Sequence, residues 1–419
     1  MTDKKGIPAR TYGALQIQLR ESLFTRTLVL PIQEFIHIQG MSSILLLGAA
    51  IAALIWANSP WHDSYHHVWE LQLTLSSIQL PVHAWINDAL MAIFFFLVGM
   101  EIKHEIVHGE LSDIRKAALP IVGAVGGMVL PALLFVAVNF RGPGQHGWGV
   151  PMATDIAFSL GVLGMVKGIP SELKVFLLTL AIADDLGAIG LIAIFFTSHI
   201  HAWALVGAAA TLVALVGLSE WKDAPFLFRA AGFVVLAAFT LKSGMSTSLA
   251  GVAAAFTVPI GPRRPGQEGV LKHFMQSLHP YVAFAVLPLF AFTAAGFSFA
   301  DMRWSEILTP MPLGIAAGLF IGKQVGVIAA VFILVRTGLA RRPTGSSWLE
   351  LYGVALLCGV GFTLSLFMGD LAFEGQGELA RSQMTLGVAV GSIVSALAGM
   401  AVLALAGRRR EAREKALPG

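Results

Sequence analysis

The run VFLLTLAIADDLGAIGLIAIFF, residues 175–196, decides how the rest of the chain is read. It is apolar throughout except near its midpoint, where two carboxylates, Asp184 and Asp185, stand side by side. A helix needs about 20 apolar residues to cross a bilayer core, so the run is long enough. A carboxylate at the centre of such a helix costs about 2.5–3.5 kcal/mol even on a lenient insertion scale. Two adjacent ones therefore mark a working site, unless something close by neutralises both.

The rest of the chain is built of the same material. Of its 419 residues, 56% are hydrophobic and 13% are charged, against about 25% charged in a soluble domain. Mean hydropathy is +0.74. A polytopic membrane domain fits this composition; a set of soluble domains does not. The net charge is small, +3, and the basic residues sit in short loops rather than on one stripe, which argues against nucleic acid as a partner. The single cysteine, Cys358, excludes an internal disulfide. No pattern asks for a cofactor. The first long apolar run begins near Met41, too late for the core of a cleavable signal. The expected organisation is a polar tail over 1–40, with an interfacial helix over 21–38, one membrane domain over 41–406, and a basic tail over 407–419.

Reading outward from Asp184 with a window of about 19 residues, the chain divides into twelve expected membrane helices. They are 41–57, 82–102, 117–139, 144–166, 173–198, 202–218, 226–240, 244–259, 280–298, 311–335, 349–371 and 382–406. All but five of the 28 lysines and arginines fall in one alternating set of segments: the two tails, 103–116, 167–174, 219–229, 260–272 and 336–348. The opposite side holds only Arg141, Lys242, Arg303 and Arg381, and Lys323 lies inside the tenth helix. By the positive-inside rule both termini are expected in the cytoplasm. One outer segment stands apart. Residues 68–82, VWELQLTLSSIQLPV, alternate polar and apolar on both sides of Ser76-Ser77. That period predicts a short β-hairpin. A lone hairpin is marginal in water, so a homodimer contact through its edge is expected.

Three acids and one base sit near helix midpoints: Asp155, Asp184, Asp185 and Lys323. One acid and one base could be a structural ion pair. Three acids against one base leave surplus negative charge, which needs a proton, a bound cation, or both. Adjacent residues point about 100° apart on a helix, so Asp184 and Asp185 cannot share one task. One can face the lysine while the other faces a wet cavity. Hard cations take oxygen ligands of this kind.

Two of the helices look interrupted. The fourth, PGQHGWGVPMATDIAFSLGVLGM, has Pro151 in mid-span, and the eleventh has Gly359 and Gly361 in LCGVGFTLS. Each is the middle member of a triplet, helices 3–5 and 10–12, and the charge count sets the two triplets in opposite senses. Paired interruptions in inverted repeats point to a transporter's midplane site.

The motifs ATDIAFSLGVL, AIADDLGAIG, WINDALMAIFFFLVGMEIK, GLFIGKQVG and LCGVGFTLS, in that set, resemble those of the NhaA-type Na+/H+ antiporters of bacterial inner membranes, from about Met41 to Ala406. The resemblance implies an all-α polytopic transporter exchanging cytoplasmic Na+ or Li+ for external H+, electrogenic and pH-regulated, with no enzymatic activity. It implies Asp185 as main cation ligand and proton carrier, with Asp184 beside it and paired to Lys323 when no ion is bound. It implies Asp155 and Thr154 at the meeting of the two breaks. There Asp155 would offset two positive half-helix ends and Lys323 two negative ones. Asp88 would lie on the ion path, although a helix-start cap is as good a reading of its position. Glu101, Lys103, His104 and Glu105 match part of a pH-sensing funnel. Two departures bear on pH sensing. Met275 and Gln276 stand where an acid is expected before His279-Pro280, at the start of the ninth helix, and Met245 and Ser246 stand where a histidine is sometimes found.

Two rivals are weighed. An intramembrane aspartyl protease would need Tyr-Asp and Gly-x-Gly-Asp, and neither occurs; FMGD at 367–370 lacks the first glycine. A Na+-coupled solute symporter on a similar scaffold is the closer alternative. It would need room for an organic solute.

Overall fold

The computed structural model describes residues 30–75, 78–142, 144–197, 200–221, 226–261, 269–297 and 308–416. Expectations for residues 1–29, for the turn at Ser76-Ser77 and for Lys222, Arg263, Arg264 and Arg303 lie outside the described residues. The chain is helical almost throughout. Its helices are α1 (Leu30–Ala57), α2 (His62–Glu70), α3 (Val82–His108), α4 (Ile114–Val138), α5 (Ile156–Met165), α6 (Ser171–Phe195), α7 (Ala202–Glu220), α8 (Phe226–Lys242) and α9 (Thr247–Thr257). After these come α10 (Val270–Ala294), α11 (Pro310–Arg336), α12 (Trp348–Leu357), α13 (Phe362–Ala372) and α14 (Glu378–Ala416).

Seven of the described helices are long and apolar enough to cross a membrane alone, and two bent pairs raise the number to nine. The pairs are the 3-10 helix Gln145–Met152 with α5, bent by 40°, and α12 with α13, bent by 43°. Met41–Ala57, α8 and α9 are shorter apolar helices. Each of the twelve expected segments overlaps one of these helices or pairs. Large apolar side chains lie exposed along α4 (Val125, Val129, Leu133) and α7 (Trp203, Val206, Val213). Stripes of that size suit lipid rather than water. The molecule is a multi-pass, all-α membrane protein with one small hairpin.

Several boundaries differ from expectation. Helix α10 begins about ten residues before the apolar run, so His279-Pro280 lies within it, not at its start. Residues 270–279 are too polar for a hydropathy window but still helical. A π-turn follows at Val282–Val286, and a second interrupts α11 at Gly318–Gly322. There Gln324 Nε2 donates to the Phe320 carbonyl at 2.8 Å, supplying a partner for that carbonyl beside the irregular turn. Helix α14 continues through most of the basic tail. Arg410 there meets the buried Glu350 at 3.7 Å, and Glu350 closes a capping box with Ser347 at the start of α12. The hairpin is narrower than 68–82: Gln72–Leu75 pairs antiparallel with Ile78–Pro81, and residues 68–70 form the last turn of α2. Tyr65, on α2, donates to the Phe292 carbonyl of α10 at 2.7 Å, and burial pushes its phenol up to about 12.

The helices pack in two groups. Helix α3 lies along α9, α9 along α8 and α8 along α7, with α10 on α3 and α1. In the other group α4 packs on α6 and α11, and α11, α12 and α13 all pack on α14. The α4–α11 crossing needs glycine on both sides: a Cβ on Gly126 would strike the Gly326 carbonyl, and one on Gly326 the Gly126 carbonyl. Small residues of this kind let membrane helices approach closely.

Candidate functional site

The site forms where the two bent pairs cross. The Gln145–Met152 helix ends, residues 153–155 are extended, and α5 begins at Ile156. On the other strand of the crossing, α12 ends at Leu357, and α13 begins at Phe362. The Asp155 amide donates to the Val360 carbonyl at 2.7 Å, which ties the two breaks together. The first break falls just after Pro151, not at it. Pro151 sits inside a helix of i→i+3 bonds, where its missing N–H costs a single bond.

A broken membrane helix leaves unpaired amides at one stump and carbonyls at the other, and both must be satisfied internally. Asp155 serves the amide ends of both downstream halves. Its Oδ1 accepts from the Phe158 amide of α5 at 3.0 Å. Its Oδ2 accepts from the Thr363 amide of α13 at 3.1 Å and from Thr363 Oγ1 at 2.5 Å. One negative charge thus faces two positive helix ends. The carbonyl ends are met by hydroxyls. Thr154 Oγ1 donates to the Cys358 carbonyl at 2.9 Å, Ser159 Oγ to the Leu357 carbonyl at 2.9 Å, and Ser365 Oγ to the Val150 carbonyl at 2.8 Å. Ser159 and Ser365 play matching parts across the crossing, each reaching the other pair's upstream half. Ser392 of α14 accepts from the Gly361 and Phe362 amides at 3.3 and 3.2 Å. Sequence reading singled out none of Thr363, Ser159, Ser365 and Ser392. Hydroxyls are common in membrane helices, and only the offset of Ser159 and Ser365, four residues after Asp155 and after Gly361, carried a signal.

Lys323 reaches the crossing from α11. Its Nζ donates to Asp184 Oδ2 at 2.6 Å and to Thr154 Oγ1 at 2.9 Å, and Thr154 in turn reaches the Cys358 carbonyl just past the end of α12. The Lys323 and Asp184 side chains are each 1% exposed. Asp185, on the next residue of the same unbroken helix, is equally buried. Neither of its carboxylate oxygens has a hydrogen-bond partner among the described residues, nor does Asp184 Oδ1. A buried carboxylate without partners is costly, and it points to a proton or a cation as its missing neighbour. Asp185 and Asp155 line a narrow cleft of about 40 Å³, together with Glu101 and His279. Such a space admits a water or a small ion, and no organic solute.

The structure brings Asp155, Thr154, Asp184, Asp185 and Lys323 together, with Glu101 lining the same cleft. The other three pH-sensing candidates stand apart. Lys103 Nζ donates to the Phe256 and Val258 carbonyls at 2.6 and 2.7 Å, at the end of α9, as basic side chains do at helix C-termini. Glu105 accepts from the Glu110 amide at 3.0 Å, and His104 packs against His108 with ring centres 5.7 Å apart. Asp88 is not a helix-start cap, since α3 begins at Val82. Its carboxylate accepts from Thr247 Oγ1 at 3.2 Å and lines a second cavity of about 820 Å³ near the hairpin.

Residues 33–403 match the family Na+/H+ antiporter 1. Among its relatives, the chain is 44% identical over 395 residues to the Na(+)/H(+) antiporter NhaA 1 of Syntrophotalea carbinolica, covering 92% of this chain and 98% of that one. It is 48% identical over 383 residues to the Na(+)/H(+) antiporter NhaA 2 of Pseudomonas savastanoi pv. phaseolicola, covering 90% and 96%. It is 45% identical over 398 residues to the Na(+)/H(+) antiporter NhaA of Rhodospirillum rubrum, covering 91% and 99%.

Proposed function

The chain belongs to the Na+/H+ antiporter 1 family, and from that premise we propose that it exchanges Na+ for H+ across the bacterial inner membrane by letting the two compete for Asp185 and Asp184. The observation that carries this reading is the buried Asp185 carboxylate, both of whose oxygens lack a protein partner. It lies one residue from an acid already paired to Lys323. When the cleft opens to the cytoplasm, the carboxylates release protons and take Na+ or Li+. Access then switches, the cation leaves outside, and protons replace it. Two titrating acids allow up to two protons per Na+, which makes the exchange electrogenic.

Lys323 in this scheme holds Asp184 while the ion is absent and is displaced as the ion binds. Asp155 and Thr154 hold the two breaks in register, keeping charged half-helix ends aimed at the ion. Asp88 lines the outer path. Glu101, which lines the cleft with Asp185, is the pH-sensing candidate nearest the site; Lys103 and Glu105 act through the helix ends they cap, and His104 through its contact with His108. The twelve helical segments are read as twelve spans. The triplet of α4, the first bent pair and α6 is read as an inverted repeat of α11, the second bent pair and α14. Both tails lie in the cytoplasm, and two copies pair through the hairpin. The narrowness of the cleft supports antiport over solute symport.

The test is Na+-induced dequenching of a pH-sensitive dye in everted vesicles, scanned over pH, without added solute. Wild-type protein shows Na+-driven proton movement, and Asp185→Asn abolishes it. Exchange by Asp185→Asn at the wild-type rate removes Asp185 from the mechanism.

A further inference from the structure

At the hairpin end of the molecule the two helix groups are joined by a short polar chain. Asn87, on α3, has its side-chain oxygen held by Thr293 Oγ1 of α10 at 3.0 Å. Asp370, on α13, has Oδ1 held by Arg381 Nε of α14 at 3.4 Å. These two side chains meet in one hydrogen bond that crosses from one group to the other: Asn87 Nδ2 donates to Asp370 Oδ2 at 3.3 Å. Each half is thus oriented by a partner on its own side. If the groups part, each half keeps that partner and turns to the water of the 820 Å³ cavity, which all four residues line. The bond is polar, singly made and beside solvent, which makes it readily reversible.

Its position gives it a task. The large cavity stops at Phe196 and Phe367 and does not reach Asp185. Phe95 and Phe290 pack behind Phe367, with ring centres 5.6 and 6.4 Å away. The narrow cleft beside Glu101 does reach Asp185. The site is therefore approached from the Glu101 end and shut off at the hairpin end, where the Asn87–Asp370 bond bridges the groups.

We propose that Asn87 and Asp370 form a latch closing the hairpin-side end of the ion path, with Arg381 as its positioning residue, and that this latch opens once in every exchange cycle. The proposal rests on the alternating-access reading above. It assigns to FMGD, and to Arg381, a role the sequence motifs left unassigned.

The test uses Asn87→Cys/Asp370→Cys in a Cys358→Ala background, cross-linked by a short thiol-specific bifunctional reagent carrying a cleavable disulfide. Closed by the linker, the protein loses exchange in everted vesicles about tenfold or more, as expected when one of two required states becomes inaccessible. Cleavage of the linker restores it, and purified cross-linked protein still binds Na+ in calorimetry. Cross-linked protein that exchanges at the rate of the uncross-linked variant overturns the latch. A second measurement needs no cross-link. Arg381→Gln loosens the latch, so the KM for Na+ supplied at the cytoplasmic face rises about threefold or more while that at the opposite face falls. An unchanged ratio of the two KM values, or a lower Vmax alone, contradicts the proposal. Failure of the site reading has a different signature: Na+ binding by the uncross-linked double variant that survives Asp185→Asn.

Discussion

Lys323 and Asp184 meet at 2.6 Å with water excluded from both. Removing one partner of a buried pair strands the other charge, at a cost of about 3–5 kcal/mol. Lys323→Met is expected to lower the thermal midpoint in detergent. Adding Asp184→Asn should recover much of the loss, since no charge is then stranded. Equal midpoints for the single and double variants would show that the pair does not hold the crossing. At this scale the sequence was legible where a residue was out of place in its surroundings. Asp155, Asp184, Asp185 and Lys323 stand out because charge inside an apolar run is rare. Ser159, Ser365 and Ser392 do not stand out, because a hydroxyl in a membrane helix is ordinary until its acceptor or donor across the break is known.

Element boundaries were legible where hydropathy changes and hidden where it does not. The Gly359–Gly361 break lies where α12 gives way to α13, since glycine and the absence of a cap mark it locally. The break after Pro151 was displaced to residues 153–155, because proline fits a 3-10 helix better than it ends one. The early start of α10 and its π-turn left no hydropathy signal at all. Helix contacts follow from small residues. Gly126→Leu is expected to force α4 from α11 and to abolish a monodisperse, folded protein in size-exclusion chromatography. Gly190→Ala, on a face with nothing within 4 Å, is the control. It should fold normally and gain up to about 1 kcal/mol of helix stability. A Gly126→Leu protein as stable as the control would place the crossing elsewhere.

At the scale of the whole molecule, composition and loop charges are enough to show a polytopic membrane protein, because lipid imposes its own pattern on the chain. The arrangement of the two helix groups was not legible. It depends on which small residues meet across space, and no single-chain periodicity reports that. The account of function rests on a contest at Asp185, whose empty hydrogen-bonding capacity is filled either by protons or by a cation. The direct measurement is isothermal titration calorimetry of Na+ binding to purified protein across a range of pH. Competition predicts that the Kd for Na+ rises as pH falls, by about tenfold per unit for each proton displaced, and levels off at high pH. Protons should be released on binding. A Kd that stays flat across the range, with no proton release, contradicts the account.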